Sequence, residues 1–409
     1  MTVTDTLVAP SAEPTHESDR RTYLQRVLDS SWLLIVLAIL MALIASSVLI
    51  AAANPRVQAS AGYFFSRPGD LLGAAWDAIY SAYSALFRGA IYDYRATGLR
   101  QIRPITETMT ASAPLIFAGL GLAVGFRSGL FNIGAQGQVL MGAAAATYVG
   151  ITYPLPAGLH LVLACLAAIV VGGLWAGIAG FLKARTGANE VIVTIMLNSI
   201  SFYLVSYLLT TSLLAQGGTR PISPPVGGTA TFPLLLGPSF RLHWGFIAAL
   251  LAAVAVWWLM ERSVLGFRFR AVGANQNAAR TAGIRVNLVF VLVMLTAGAL
   301  AGMGGAAQIL GTDKTLQATS AGSIGFDAIT VALLGRSKPL GTVMAALLFG
   351  ALRAGSPLMQ TSANTPIDIV LVIQATIVLL IAAPVLVREL SVIHRFAQLF
   401  GYQMKEARA

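Results

Sequence analysis

Apolar residues in this chain come in long blocks rather than in narrow stripes. Blocks at about 32–53, 105–126, 133–152, 159–182, 190–210, 244–261, 286–310, 340–359 and 367–387 are each close to the ~20 residues that a membrane-crossing helix needs. A shorter apolar piece covers 324–335. The pattern predicts an all-α polytopic membrane protein with about ten transmembrane segments, some of them short or broken. A β-barrel would alternate with period two in segments of ~10 residues, and no such alternation is present. The blocks divide the chain into a polar N-terminal tail, 1–31, a transmembrane domain, 32–387, and a C-terminal tail, 388–409.

Between 54 and 104 the pattern changes. Leu72, Trp76, Ile79, Tyr83 and Leu86 recur at helical spacing, with Asp77, Ser81 and Ser84 between them. This predicts an amphipathic helix over 71–87, lying on the membrane surface or packed against the bundle.

Composition supports the membrane reading. Of the 409 residues 56% are hydrophobic and 11% charged, against about 25% charged in a soluble domain. The net charge of +11 does not point to nucleic acid, because the arginines cluster at the ends of apolar runs and no zinc-finger or RNA-recognition signature is present. Cys165 is the single cysteine, so no internal disulfide can form, and its apolar surroundings suit a packing residue. His16, His160, His243 and His394 are scattered without metal-ligand spacing. A cleavable signal peptide ending near "AAANP" (51–55) competes for the N-terminus. The run from Trp32 to Ala53 is long for such a peptide and long enough to span, which favours an uncleaved first helix.

Lysine and arginine in short loops set orientation. Under ten crossings, Arg20, Arg21 and Arg26, Lys183 with Arg185, the 261–285 loop, Arg336 with Lys338, and Arg388 with Arg395 fall on one side. That side is the cytoplasm, which holds both termini. The Pro- and Gly-rich loop 211–243 then faces out. The external segment 54–104 breaks the rule with Arg56, Arg67, Arg88, Arg95, Arg100 and Arg103.

Candidate chemistry lies where the apolar blocks are interrupted. "FNIGAQGQ" (131–138) places Asn132, Gln136 and Gln138 among Gly134 and Gly137. Small residues such as Gly142 and Ala143 to Ala146 suit close helix packing. Three amides facing lipid would each be costly, whereas broken backbone at membrane depth is tolerated where it lines a watery path. Asp327 lies in the short apolar piece, where an isolated carboxylate costs roughly 2.5–3.5 kcal/mol and so faces the bundle interior. Glu190, Thr194, Asn198 and Ser201 share one helix face. Glu190 is near Lys183 and Arg185, which suits a local ion pair. Asn198 is deeper and is either a pathway residue or interhelical glue. The candidate translocation residues are therefore Asn132, Gln136, Gln138, Asn198 and Asp327.

"GTDKT" (311–315) lacks the glycine-lysine spacing of a phosphate loop, so the chain carries no nucleotide-binding module of that type. No nucleophile–base set and no carboxylate pair suggests an enzyme, a metal site or a cofactor. The basic loop 261–285, with a helix-forming stretch from Asn277 to Ala282, suits docking into a partner's groove, or is an ordinary positively charged loop.

Four segments carry a resemblance. "GLGLAVGFRSGLFNIGAQGQVLMGA", "NEVIVTIMLNSIS", "GFRFRAVGANQNAARTAGI" and "GFDAITVALLGRSKPLGTVMAALLFGALRAG" resemble the permease subunits of bacterial ABC importers for nucleosides, simple sugars and branched-chain amino acids, most of all the nucleoside branch. The resemblance covers about 105–387. It implies a multi-pass subunit of the bacterial inner (plasma) membrane. Its implied partners are a second permease, two cytoplasmic ATPases that bind ATP and Mg, and an external solute-binding protein or lipoprotein. The implied ATPase-coupling residues are Gly266, Arg268, Arg270, Gly273, Asn275, Ala278, Ala279 and Gly283. The chain departs from the usual pattern at Ala274, at Gln276-Asn277 and at Gln136, where an acid is usual. A simple-sugar permease is the nearest alternative. A self-sufficient secondary transporter or channel is a different class and would need coupling carboxylates, for which Asp327 and Glu107 are the candidates.

Overall fold

The structure is a computed structural model that describes residues 31–215, 221–366 and 368–382. Arg20, Arg21, Arg26, Arg220, Arg388, Arg395, His16 and His394, with most of both tails, lie outside the described residues. Apart from one isolated bridge between Leu234 and His243, the described residues form helices and loops. In chain order the helices are α1 (Ser31–Ala53), α2 (Pro55–Ala61), α3 (Pro68–Ala90), α4 (Arg103–Arg127), α5 (Ala135–Thr152), α6 (Leu159–Thr186) and α7 (Glu190–Leu208). They continue as α8 (Trp244–Arg262), α9 (Val264–Ala274), α10 (Gln276–Thr281), α11 (Val286–Ala306), α12 (Ile324–Leu334), α13 (Pro339–Ala363) and α14 (Asp368–Ala382).

Among the described residues, seven helices are long and apolar enough to cross a membrane: α1, α4, α6, α7, α8, α11 with its extension to Asp313, and α13. Three expected crossings fall short of that standard for different reasons. Helix α5 has 18 residues but carries Gln136, Gln138 and two threonines. Helix α12 has 11 residues, a rise of only ~16 Å against a hydrocarbon core of ~30 Å. Helix α14 has 15 residues up to the limit of the described chain. The amphipathic segment is longer than its periodicity suggests. Helix α3 runs from Pro68, at a favoured first-turn position, to Ala90, and packs Ala78, Ala82, Ala85 and Leu86 inward.

Helix α4 is the axis of the molecule. Every residue from Ser112 to Gly125 is buried, as expected for a helix apolar on all faces. It is surrounded by α8, α11, α12 and α13. Beside it, α5, α6 and α11 meet along a glycine seam. A Cβ on Gly142, Gly172 or Gly305 would collide with the facing backbone of Gly302, Gly298 or Val139. Without side chains between them these three helices pack backbone to backbone, the usual route to tight association among membrane helices. Past Ala306, α11 widens into a π-helical segment, Ala307–Asp313. The loop after residue 221 packs against it, with Phe232 N–H donating to Leu310 C=O (3.1 Å) and Val226 N–H to Lys314 C=O (2.8 Å).

Candidate translocation site

Two features occupy opposite ends of α4. At its N-terminal end is an open cavity of about 850 Å³. Its walls come from the α3 C-terminus, the α4 N-terminus, the π-helical segment, the turn before α12, and α13. Five arginines line it (Arg88, Arg100, Arg103, Arg241 and Arg353) against two acids, Asp93 and Glu107. Arg88 Nε donates to Asp93 Oδ1 at 2.7 Å, which holds the Asp93 carboxyl below its ordinary pKa. Arg103 and Arg241 share Glu107, at 3.6 and 3.5 Å. Arg353 has no acidic partner among the described residues and donates to Ser323 Oγ (3.2 Å). The net surplus of positive charge makes this a cavity for electron-rich groups.

At the other end of α4 the 261–285 loop folds into a helical hairpin. The Ser263 side chain accepts from Gly266 N–H and opens α9. The Asn275 side chain accepts from Asn277 N–H and Ala278 N–H (both 3.0 Å) and opens α10. These are ordinary N-caps, legible from residue type. Gly266 and Ala279 are buried, whereas Arg268, Ala278 and Gly283 are exposed. Gly273 fits against the backbone of Arg127 and Ser128, where a Cβ would collide. The adjoining Gly129 has φ +71°, a conformation that favours glycine. An ion pair adds to this contact: Arg127 Nη1 lies 2.7 Å from Glu261 Oε1, and Arg270 Nη1 is 3.3 Å from Glu261 Oε2.

The interrupted segment 128–138 starts at that contact. Asn132 and Gln138, both buried, pair reciprocally: Asn132 Nδ2 donates to Gln138 Oε1 (3.2 Å) and Gln138 Nε2 to Asn132 Oδ1 (3.1 Å). Asn132 Oδ1 also accepts from Gly134 N–H (2.8 Å). Asn198 of α7 bridges the break, accepting from Gly137 N–H (2.8 Å) and donating to Ile133 C=O (2.9 Å). Gln136 reaches the other way. Its Nε2 donates to Gly322 C=O (2.7 Å), and its Oε1 accepts from Gly325 N–H (2.9 Å) at the start of α12. Ser323 Oγ donates to Asp327 Oδ2 (2.8 Å).

Asn132, Gln138 and Asn198 thus meet at the break, Gln136 reaches across to the turn before α12, Asp327 bonds to Ser323 of that turn, and none of the five is on the cavity wall. Asn132, Gln138 and Asn198 spend their hydrogen-bonding capacity within the protein, which keeps the broken backbone satisfied. Glu190 pairs with Lys183 Nζ, while Thr194 and Ser201 are buried on the same face. Among the cavity residues, spacing along the chain gives no signal for Arg353 or Gln308, and Glu107 enters the sequence reading only as a coupling carboxylate of the secondary-transporter alternative. The arginine surplus of 88–103, which defies the orientation rule, is the signal that could have found them.

Residues 105–382 match the family described as branched-chain amino acid transport system / permease component. The chain is 40% identical to a guanosine ABC transporter permease protein of Bacillus subtilis over 312 residues, 76% of this chain and 87% of that one. It is 38% identical to a glucose ABC transporter permease protein of Haloferax volcanii over 284 residues, 67% of this chain and 75% of that one. It is 35% identical to a nucleoside ABC transporter permease protein of Lactococcus lactis over 299 residues, 71% and 82% of the two chains. No solved structure matches it.

Proposed function

We propose a function from one premise: the chain belongs to the branched-chain amino acid transport system / permease component family. It is a multi-pass permease subunit of an ABC importer, and its solute is a nucleoside. What carries the nucleoside assignment is the likeness to a guanosine and a nucleoside permease protein across most of each chain. The glucose permease protein favours a second reading, a simple sugar. Both solutes are small, neutral and rich in hydroxyl groups.

In this reading α5, α12 and α14 complete ten crossings and both termini are cytoplasmic. The cavity opens outward and receives solute from an external binding protein, whose acidic groups the arginine rim attracts. The α9–α10 hairpin faces the cytoplasm and docks on ATPase subunits that bind ATP and Mg. Two permeases, identical or different, flank the path in the bacterial inner membrane. ATP-driven closure of the ATPases pushes the hairpin, and the push reaches the 128–138 segment through the Gly273–Gly129 contact. A ligand or partner can shift this equilibrium only by its differential interaction with the two states, so the energy is supplied outside this chain. Asn132, Gln138 and Asn198 keep the moving break intact, Gln136 connects it with α12, and Asp327 holds Ser323 in the turn before α12.

The test is copurification in mild detergent with identification of the accompanying subunits, followed by uptake into vesicles holding the complete assembly. ATP-dependent entry of guanosine or another nucleoside, competed poorly by glucose, is the expected result. Ion-gradient uptake by the chain alone would replace this reading with a secondary transporter.

A further inference from the structure

We propose that residues 320–325 with the first turn of α12 form the gate at the inner end of the cavity, and that Gln136 is the positioning residue that holds it shut. This rests on the permease reading and adds to it a residue and a place.

Ser320 and Ile324 are part of the cavity wall, so this turn bounds the space on the side that adjoins α12. The turn is clamped from two sides. From α13, Arg353 extends along the cavity and donates to Ser323 Oγ. From α5, Gln136 uses both ends of its amide, one on Gly322 C=O and one on Gly325 N–H. Gly325 N–H is among the first donors of α12, which have no partner inside their own helix. Gln136 therefore caps α12 from a helix 189 residues away. Gly325 lies so close to the Ala135–Gln136 backbone that a Cβ there would collide. The turn is thus in backbone contact with α5 there, and opening of the gate lifts it away from α5.

The clamp is also connected to the far end of the molecule. Gln136 adjoins Gly137, whose N–H is held by Asn198. Seven residues upstream, Gly129 abuts Gly273 of the hairpin. A shift of the hairpin moves the backbone that carries Gln136, and the amide either keeps or releases the α12 start. Two directional hydrogen bonds suit this role because they are made or lost over a displacement of about 1 Å.

The experiment places a single reporter cysteine at the gate: Ser320→Cys with Cys165→Ala, in the complete importer, in right-side-out and inverted vesicles without nucleotide. A membrane-impermeant maleimide should label the parent from the cavity side only. Gln136→Leu, which removes both bonds, should be labelled from both sides. Passive efflux of preloaded guanosine should rise about tenfold, the shift that roughly 1.4 kcal/mol of lost bias produces. Gln136→Asn, one methylene shorter, cannot span both partners and should behave alike to a smaller degree, so the idea stays testable if the leucine variant does not assemble. One-sided labelling with unchanged efflux in whichever variants assemble would overturn the gate. Parental ATP-driven uptake is measured in the same vesicles. Normal uptake with one-sided labelling sinks the gate alone, whereas switching of labelling without nucleoside uptake sinks the solute assignment and leaves the gate.

Discussion

The glycine seam and the amide knot are neighbours on α5, and they hold their partners by opposite means. At the seam, Gly142, Gly172, Gly298, Gly302 and Gly305 bring α5, α6 and α11 to backbone contact. At the knot, Asn132, Gln136, Gln138 and Asn198 hold α5, α7 and α12 through side-chain amides. Close-packed surfaces resist every displacement, since any slide meets a collision. Hydrogen bonds resist only until they break, and each contributes about 1 kcal/mol net. One helix therefore has a fixed upper part and an adjustable foot, and the foot is the part joined to the hairpin.

The sharpest way to break that contrast is Gly302→Leu. It drives a side chain into the backbone of Ala168 and Gly172 and should cost about 3 kcal/mol or more, seen as loss of monodisperse protein on size-exclusion chromatography. Survival with a wild-type melting temperature would mean that the seam is loose. Next is Gly273→Val, which displaces the hairpin from Arg127 and Ser128. ATP hydrolysis by the assembled importer should persist, while solute uptake falls by about tenfold or more, the equivalent of one lost contact of roughly 1.4 kcal/mol. Unchanged uptake would remove the hairpin from the coupling route. Asn198→Leu leaves Gly137 N–H and Ile133 C=O without their partner. It should lower stability by about 2 kcal/mol, read as a reduced melting temperature, with solute preference unaltered. A changed preference would put Asn198 in contact with solute.

The smallest effect is outside the membrane-crossing helices, at Asp93. Arg88 holds its carboxyl below the ordinary range. That stabilisation is complete above the unfolded pKa of ~3.9 and is lost as pH falls through the depressed folded value. Asp93→Asn should cost about 1 kcal/mol at neutral pH and flatten the fall of thermal stability below about pH 4. An unchanged acid limb would assign no stability to the pair.

Much of this architecture is legible in residue order because its causes are local. The apolar blocks mark α1, α4, α6 and α8 nearly to their ends. The helix-forming stretch from Asn277 to Ala282 falls within one residue of α10, since a short helix and its cap depend on neighbouring residues. The amides of 131–138 identify themselves as needing partners. The partners are another matter. Gln136 meets Gly322 across 186 residues, and the cavity gathers Arg88, Arg241 and Arg353 from three separated stretches. Spacing along a chain cannot express such meetings. The widening of α11 at Ala307–Asp313 has no compositional signature either, and it puts Gln308 and Thr312 on the cavity wall.

The seam has one further consequence, which concerns heat. A stroke that leaves three helices locked and exchanges a handful of amide contacts exposes little new apolar area to water or lipid. Heat capacity tracks such exposure, so the activation enthalpy of the transport step should hardly change between cold and warm conditions, and its Eyring plot should run nearly straight.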